Sequence, residues 1–189
     1  MDRQYNLSNV TKDYLNVFYN ILDKMIKDMT EAKLTYSISH NFIVQMIPHH
    51  KAAIKMSENI LKYTTNLQLQ NIASNIIKEQ TKSIANMEKI LNSCSGLINS
   101  DNDVYLYQCR VENILKTMFS GMENAYTTNE INCDFMREMI PHHKGAVEMS
   151  KNVLQYDICP GLKPILYAII SSQEKGIAEM QKLLRHIGC

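Results

Sequence analysis

Turn-forming residues are scarce in this chain: it has only six glycines and four prolines among 189 residues, and no tryptophan. No segment therefore has the composition of a flexible linker or a low-complexity tract. No run approaches the ~20 consecutive apolar residues that a membrane span requires. Basic and acidic residues are intermixed and give a net charge of +1, so no basic stripe predicts a nucleic-acid-binding surface.

Cysteine motifs and export signals are also missing. The five cysteines are an odd number, with no C-x-x-C and no spacing typical of a zinc site. Scattered in a chain rich in Asn, Lys and Ile, they favour free thiols in a reducing environment over a disulfide framework. The first residues, Met1–Ser8, lack the apolar core of a signal peptide. We expect a cytoplasmic protein from the residues given, or an exported one if a leader has been removed.

One histidine-bearing segment occurs twice. The sequence MIPHHK stands at Met46–Lys51 and again at Met139–Lys144, 93 residues later. The surrounding stretches Phe42–Tyr63 and Phe135–Tyr156 align without a gap and share 13 of 22 residues. Packing alone does not require two adjacent imidazoles to be kept together with a proline and a methionine. These segments are therefore the first place to look for chemistry.

The repetition extends beyond the histidine segment. Residues pair at the same offset over Tyr14–Leu91 and Tyr107–Leu184, so the chain is a tandem duplication. We predict a first helical repeat at residues 1–98 and a second at residues 99–189. A single helical hairpin cannot bury its apolar face, so the two repeats are expected to pack as one domain about a pseudo-twofold axis.

Each repeat has the pattern of three helices. Apolar residues recur at spacings of three and four, and no alternating run predicts a strand. In the first repeat the helices are expected near Thr11–Lys33, Asn41–Tyr63 and Leu67–Asn92. Asn41 and its counterpart Asp134 are suitable N-cap residues for the second helix. We predict an all-α fold with a four-helix bundle core formed by the second and third helices of both repeats, and with one extra flanking helix per repeat.

The paired histidines predict a metal site. His49 and His50 follow Met46 by three and four positions, so the three side chains share one helix face and can approach one ion. Met56 lies seven residues after His49, roughly 10 Å along the helix, where it can serve a second site or fill the core. The candidate ligands in the two repeats are His49, His50, His142, His143, Met46, Met139, Met56 and Met149.

The third helix of each repeat supplies candidate supporting residues. An antiparallel arrangement brings Gln80 level with His49, and it brings Gln173 level with His142 in the second repeat. A metal-bound imidazole is commonly oriented by a hydrogen bond to its other nitrogen. Gln80 and Gln173 are therefore expected to orient the imidazoles without binding the ion.

The ligand chemistry favours copper. Imidazole and thioether are soft ligands that suit copper, Cu(I) especially, whereas a di-iron bundle needs matched inward carboxylates that this chain lacks. Zinc accepts imidazole but has little use for methionine, so iron and zinc are kept as alternatives. The predicted function is binding of Cu(I) or Cu(II) for sequestration or tolerance. The alternatives are a metal-dependent oxidase and a purely structural bundle. No Ser-His-Asp pattern or phosphate-binding glycine loop predicts an enzyme, and a homo-oligomer is left open.

The repeated motif also resembles a known family. The pattern F-x-x-x-M-I-x-H-H-x-x-A-x-x-M, then I-x-x-x-Q-x-x-x-I-x-x-M, stands at Phe42–Met56 with Ile76–Met87, and at Phe135–Met149 with Ile169–Met180. It resembles the bacterial family called domain of unknown function 305. The resemblance implies a ferritin-like helical fold built from repeated helix pairs. It also implies copper binding through His and Met in some members, and export of many.

The chain departs from that family at one matched position. The family usually carries Glu three residues after the glutamine, and here those positions are Ser83 and Gly176. The helix register described above sets these two residues beside Met46 and Met139. If that Glu helps to bind a hard metal ion in the family, this chain has lost that ligand.

Overall fold

The computed structural model describes residues 7–189, which form six α-helices and no strand. The helices are α1 Asn9–Thr30, α2 Ile38–Ile60, α3 Leu67–Cys94, α4 Asp101–Glu123, α5 Ile131–Val153 and α6 Lys163–Ile187. The all-α prediction is confirmed. Residues 1–6, which include most of the segment considered as a signal peptide, lie outside the described residues.

Helix packing follows the duplication. Within the repeats, α2 packs on α3 and α5 packs on α6; between the repeats, α2 contacts α5 and α3 contacts α6. These four helices form the core, while α1 lies against α2 and α4 lies against α5. The repeat boundaries at 1–98 and 99–189 and the ferritin-like comparison stay predictions. Across residues 7–189, no helix combines the length and apolar character needed to traverse a lipid bilayer.

The predicted caps of the second helix have a different role. Asn41 and Asp134 lie inside the first turn of α2 and α5, and α2 is instead capped by Ser37. The side-chain oxygen of Asn41 accepts a hydrogen bond from the backbone N–H of Thr35 at 2.8 Å. The Asp134 carboxylate accepts the matching bond from the N–H of Thr128 at 3.0 Å. The N-cap prediction is wrong because these side chains fold back to hold the loop that precedes each helix.

Two disulfide bonds overturn the prediction of free thiols. Cys94, at the end of α3, is bonded to Cys159 in the loop before α6, and Cys133, in the first turn of α5, is bonded to Cys189 at the C-terminus. Only Cys109 has a free thiol among the described residues. The paired cysteines are 65 and 56 residues apart in sequence, so no local motif predicts these disulfide bonds.

A buried tyrosine–glutamate pair joins the repeats. The Tyr14 hydroxyl on α1 donates a hydrogen bond to the carboxylate of Glu138 on α5 at 2.6 Å. Burial raises the pKa of Glu138 well above its usual range, and the bond from Tyr14 offsets part of that effect. The counterparts are Tyr107 and Gln45, whose hydroxyl and carbonyl oxygen have no hydrogen-bond partner among the described residues. The duplication is therefore not symmetric in its buried polar contacts.

Replacing Glu138 tests this contact. Glu138→Leu is expected to lower the free energy of unfolding by about 1–3 kcal/mol, because the buried Tyr14 hydroxyl then has no acceptor. Glu138→Gln keeps an acceptor oxygen and is expected to cost less than about 1 kcal/mol. Gln45→Leu is the comparison in the other repeat: Tyr107 makes no such bond, so this variant loses only the bond of 3.3 Å that Gln45 Nε2 donates to the carbonyl of Met29. Urea unfolding measures all three variants, and equal losses for Leu and Gln at position 138 would contradict the assignment.

Candidate metal centre

The four predicted histidines meet where the repeats contact each other. His49 and His50 lie near the middle of α2, His142 and His143 lie near the middle of α5, and all four are buried. The rings of His49 and His142 stack across the interface with their centroids 3.6 Å apart. The centroid of His50 lies 5.8 Å from that of His49, and His143 lies 5.9 Å from His142. The structure therefore brings the two pairs together as one cluster.

Reciprocal hydrogen bonds hold the central pair. Nε2 of His49 donates to the backbone carbonyl of His142 at 3.2 Å, and Nε2 of His142 donates to the carbonyl of His49 at the same distance. A carbonyl oxygen can only accept, so each Nε2 carries the proton and each neutral ring has its lone pair on Nδ1. Neither Nδ1 has a hydrogen-bond partner among the described residues. Each is therefore a free basic nitrogen in an apolar environment.

Burial keeps the imidazoles neutral. Desolvation lowers the pKa of His49 to about 4, and it lowers that of His143 to about 3. The pKa values of His50 and His142 are also lowered well below the ordinary value by burial, and neighbouring imidazoles lower them further. A neutral imidazole is the form that binds a metal ion. At neutral pH no proton competes with a metal for these rings.

The outer pair faces the third helices. Nε2 of His50 lies 3.1 Å from the hydroxyl of Ser83 on α3. On α6, Gly176 lies so close to His143 that an added Cβ would stand 3.0 Å from Nε2. The predicted register set Ser83 beside Met46, and the structure places it beside His50, about one helical turn further along α2. The departure from the family pattern thus falls next to the histidines.

The two glutamines predicted to support the histidines lie between α3 and α6, and the carbonyl oxygens of their side chains have no hydrogen-bond partner among the described residues. Gln80 and Gln173 are 2% and 3% exposed and line the space between α3 and α6. Both amide atoms of Gln80 and the carbonyl oxygen of Gln173 have no hydrogen-bond partner within residues 7–189. Their role in orienting imidazoles stays a prediction. Sequence reasoning missed Ser83 as a histidine partner, although its position in the motif singled it out.

The predicted methionine ligands are buried as well. Met46, Met139, Met56 and Met149 are all at most 2% exposed, as is every other methionine of the described chain. Burial therefore does not distinguish a ligand from a core side chain. Within residues 7–189, no three His, Cys, Asp or Glu side chains are arranged to hold a metal ion. The histidine nitrogens in these positions therefore do not complete a metal site by themselves. Coordination also requires a thioether sulfur or a rotation of the imidazole rings.

The fold and the site define the chain as an all-helical bundle protein with a duplicated His-His helix where its repeats meet. It matches the model of the family described as Domain of unknown function (DUF305) over residues 39–184, and it belongs to that family. The family resemblance drawn from the repeated motif is confirmed. No curated protein matches the chain.

Solved structures of similar proteins share this fold. CopM in its Cu(II)-bound form superposes with a TM-score of 0.61 at 26% identity, covering 78% of this chain and 96% of that one. CopM in an Ag-bound form gives 0.59 at 26% identity, with 78% and 95% covered. A DUF305 fragment from Deinococcus radiodurans gives 0.58 at 21% identity, with 82% and 98% covered, and shows the likeness of fold alone.

Proposed function

We propose that the protein binds copper through the histidine cluster and holds it away from solvent, as a sequestration or tolerance protein. The observation that carries this proposal is the environment of the imidazole rings of His49 and His142. His49 and His142 are buried, neutral and oriented by reciprocal bonds through Nε2, while Nδ1 of each is unpartnered. A buried acceptor without a partner costs about 1–3 kcal/mol, and a bound cation relieves that cost.

The donor set supports a soft ion. Met46 and Met139 stand one helical turn before the histidines on the same two helices, and both are buried. Thioether and imidazole together suit Cu(I) better than a hard cation. The similar protein CopM has been crystallised with Cu(II) and with Ag, which supports a copper-class ion for this chain. Iron and zinc remain the alternatives for the metal, and an oxidase and a purely structural bundle remain the alternatives for function.

Titration with Cu(I) and with Cu(II) tests the proposal. The variant His49→Gln/His50→Gln/His142→Gln/His143→Gln removes the imidazoles, while its amide groups can still donate to the central carbonyls. We expect its copper affinity to fall by at least ~100-fold, about 3 kcal/mol, measured by chelator competition. The variant His40→Gln/His186→Gln removes the two remaining histidines and is expected to bind as the unchanged protein does.

The outcomes separate the three functions. Copper binding retained by the four-glutamine variant, with its helicity intact by circular dichroism, would remove the proposal. If the unchanged protein binds no copper, the purely structural bundle is the alternative that remains. Turnover of a reducing substrate by the copper-loaded protein would favour the oxidase. Met46→Leu/Met139→Leu refines the site: it is expected to weaken Cu(I) binding more than Cu(II) binding, since leucine preserves core volume but removes the thioether.

A further inference from the structure

We infer that the histidine cluster is loaded preferentially from one end: a cation reaches it through the pocket beside His143 and is first held there, because at the pseudo-symmetric approach a serine hydroxyl already contacts Nε2 of His50. This inference rests on the proposed function, because it concerns how the same cluster is loaded. Its basis is a difference between the repeats at the two positions that face the outer histidines. Neither the composition nor the periodicity of the chain indicates such a difference.

The His50 end is obstructed by a side chain. The hydroxyl of Ser83 lies 3.1 Å from Nε2 of His50, within hydrogen-bonding distance. An incoming ion must displace this hydroxyl before it can reach the nitrogen. His50 lines a groove of about 380 Å³, as His143 does on its own side, but the charged residues of this groove are Lys82, Lys89 and Glu79. Two positive charges beside one negative charge raise the energy of a cation on this side.

The His143 end is open because its neighbour has no side chain. Gly176 lies against Nε2 and Cδ2 of His143, and an added Cβ would stand 3.0 Å from each atom. No hydroxyl corresponding to that of Ser83 stands at this position. His143 lines a pocket of about 380 Å³ that opens to solvent between α3 and α6. The imidazole therefore forms part of the pocket wall while being only 2% exposed.

The donors along this pocket suit a cation on its way to the imidazole. Glu79 and Glu179 contribute carboxylates, and Lys175, which pairs with Glu179 at 3.8 Å, is the only lysine or arginine lining the pocket. Gln80 and Gln173, which line this pocket and the His50 groove alike, are nine-tenths or more buried and have carbonyl oxygens without hydrogen-bond partners. Carboxylates attract the ion, and amide oxygens can replace part of its hydration shell. The sequence of donors therefore runs from oxygen at the surface to nitrogen at His143.

Nuclear magnetic resonance of the histidine side chains tests the order of loading, with diamagnetic Ag(I) as the probe. In the unchanged protein the first increments are expected to shift the His143 signals before those of His50. Gly176→Ser places a hydroxyl where Ser83 has one and is expected to slow loading at least ~10-fold. Ser83→Gly opens the other end and is expected to make the two histidines respond together. Ser83→Ala removes the hydroxyl but keeps Cβ. Comparing it with Ser83→Gly separates the effect of the hydrogen bond to His50 from that of steric blockage.

Two results overturn the inference without touching the proposed function. One is an equal early response of His50 and His143 in the unchanged protein. The other is an unchanged loading rate in a folded Gly176→Ser variant. If that variant does not fold, Glu179→Gln provides the second test, since Glu179 lines the His143 pocket but not the His50 groove, and the loading rate at low salt is expected to fall several-fold. Absence of any Ag(I) or copper binding to the unchanged protein is a different result, and it removes the proposed function itself.

Discussion

Acid is expected to unfold the metal-free protein well above the pH at which carboxyl titration alone would do so. The folded-state pKa values of the four clustered histidines are lowered, so the folded protein binds fewer protons than the unfolded chain. Their stabilising contribution is complete above pH 6.5, the ordinary value, and is lost as the pH falls towards the folded values, about 4 for His49 and about 3 for His143.

The expected loss is large compared with the stability of an ordinary domain. At ~1.4 kcal/mol per pKa unit, His49 and His143 each account for on the order of 3–5 kcal/mol between pH 6.5 and their folded values. Total free energies of unfolding are typically about 5–15 kcal/mol. Glu138 and Asp134 work in the opposite direction, because burial raises the pKa of each carboxyl, so both stabilise the folded protein at low pH and that contribution is lost as the pH rises. Four imidazoles outweigh these two carboxyls.

Urea unfolding between pH 7.5 and pH 4.5, in the presence of a chelator, measures the part of this loss that falls above the folded-state pKa of His49. The four-glutamine variant lacks the buried imidazoles and is expected to show a much shallower decline over the same range. The His40→Gln/His186→Gln variant should follow the unchanged protein. Parallel declines for the unchanged protein and the four-glutamine variant would show that the clustered histidines are not buried and neutral in solution.

The helical architecture could be predicted because it depends on local periodicity and on the duplication. Apolar spacing located all three helices of the first repeat to within a few residues, and the matched offset led to a core of α2, α3, α5 and α6. The proximity of His49 and His142 follows from a pseudo-twofold axis through the helices that carry them. Their reciprocal bonds to each other's carbonyls could not be predicted, because ring orientation depends on the distance between α2 and α5.

Of the predictions that proved wrong, one involves a contact with the adjoining loop and the others involve contacts between distant parts of the chain. Asn41 was expected at a helix terminus because its side chain suits a cap, but the competing bond to the loop at Thr35 extends the helix beyond it. The register of α3 on α2 is predicted from the loop between them. Because that loop is longer than a tight turn, Ser83 lies beside His50 and not beside Met46. Cysteine spacing carries no information about partners 65 residues apart. The last two outcomes depend on tertiary packing that local patterns do not encode.

Removing the bond between Cys94 and Cys159 is expected to lower the free energy of unfolding by about 4 kcal/mol. The bond closes a loop of 65 residues, and the chain-entropy relation gives about 4 kcal/mol for a loop of that length. The bond between Cys133 and Cys189 closes 56 residues, for which the same relation gives a similar value of about 4 kcal/mol. The two loops overlap along the chain, so loss of both bonds is expected to cost less than the sum of the separate losses.

Paired serine variants distinguish the two bonds. Cys94→Ser/Cys159→Ser releases the end of α3 from the loop before α6, whereas Cys133→Ser/Cys189→Ser frees only the C-terminus from α5. Because the two loops are of similar length, each pair is expected to lose about 4 kcal/mol in urea unfolding. Cys109→Ser is the control, since its thiol is free. If a reductant leaves the unfolding curve of the unchanged protein where it was, neither bond stabilises the fold, and thiol counting then shows whether the bonds form at all.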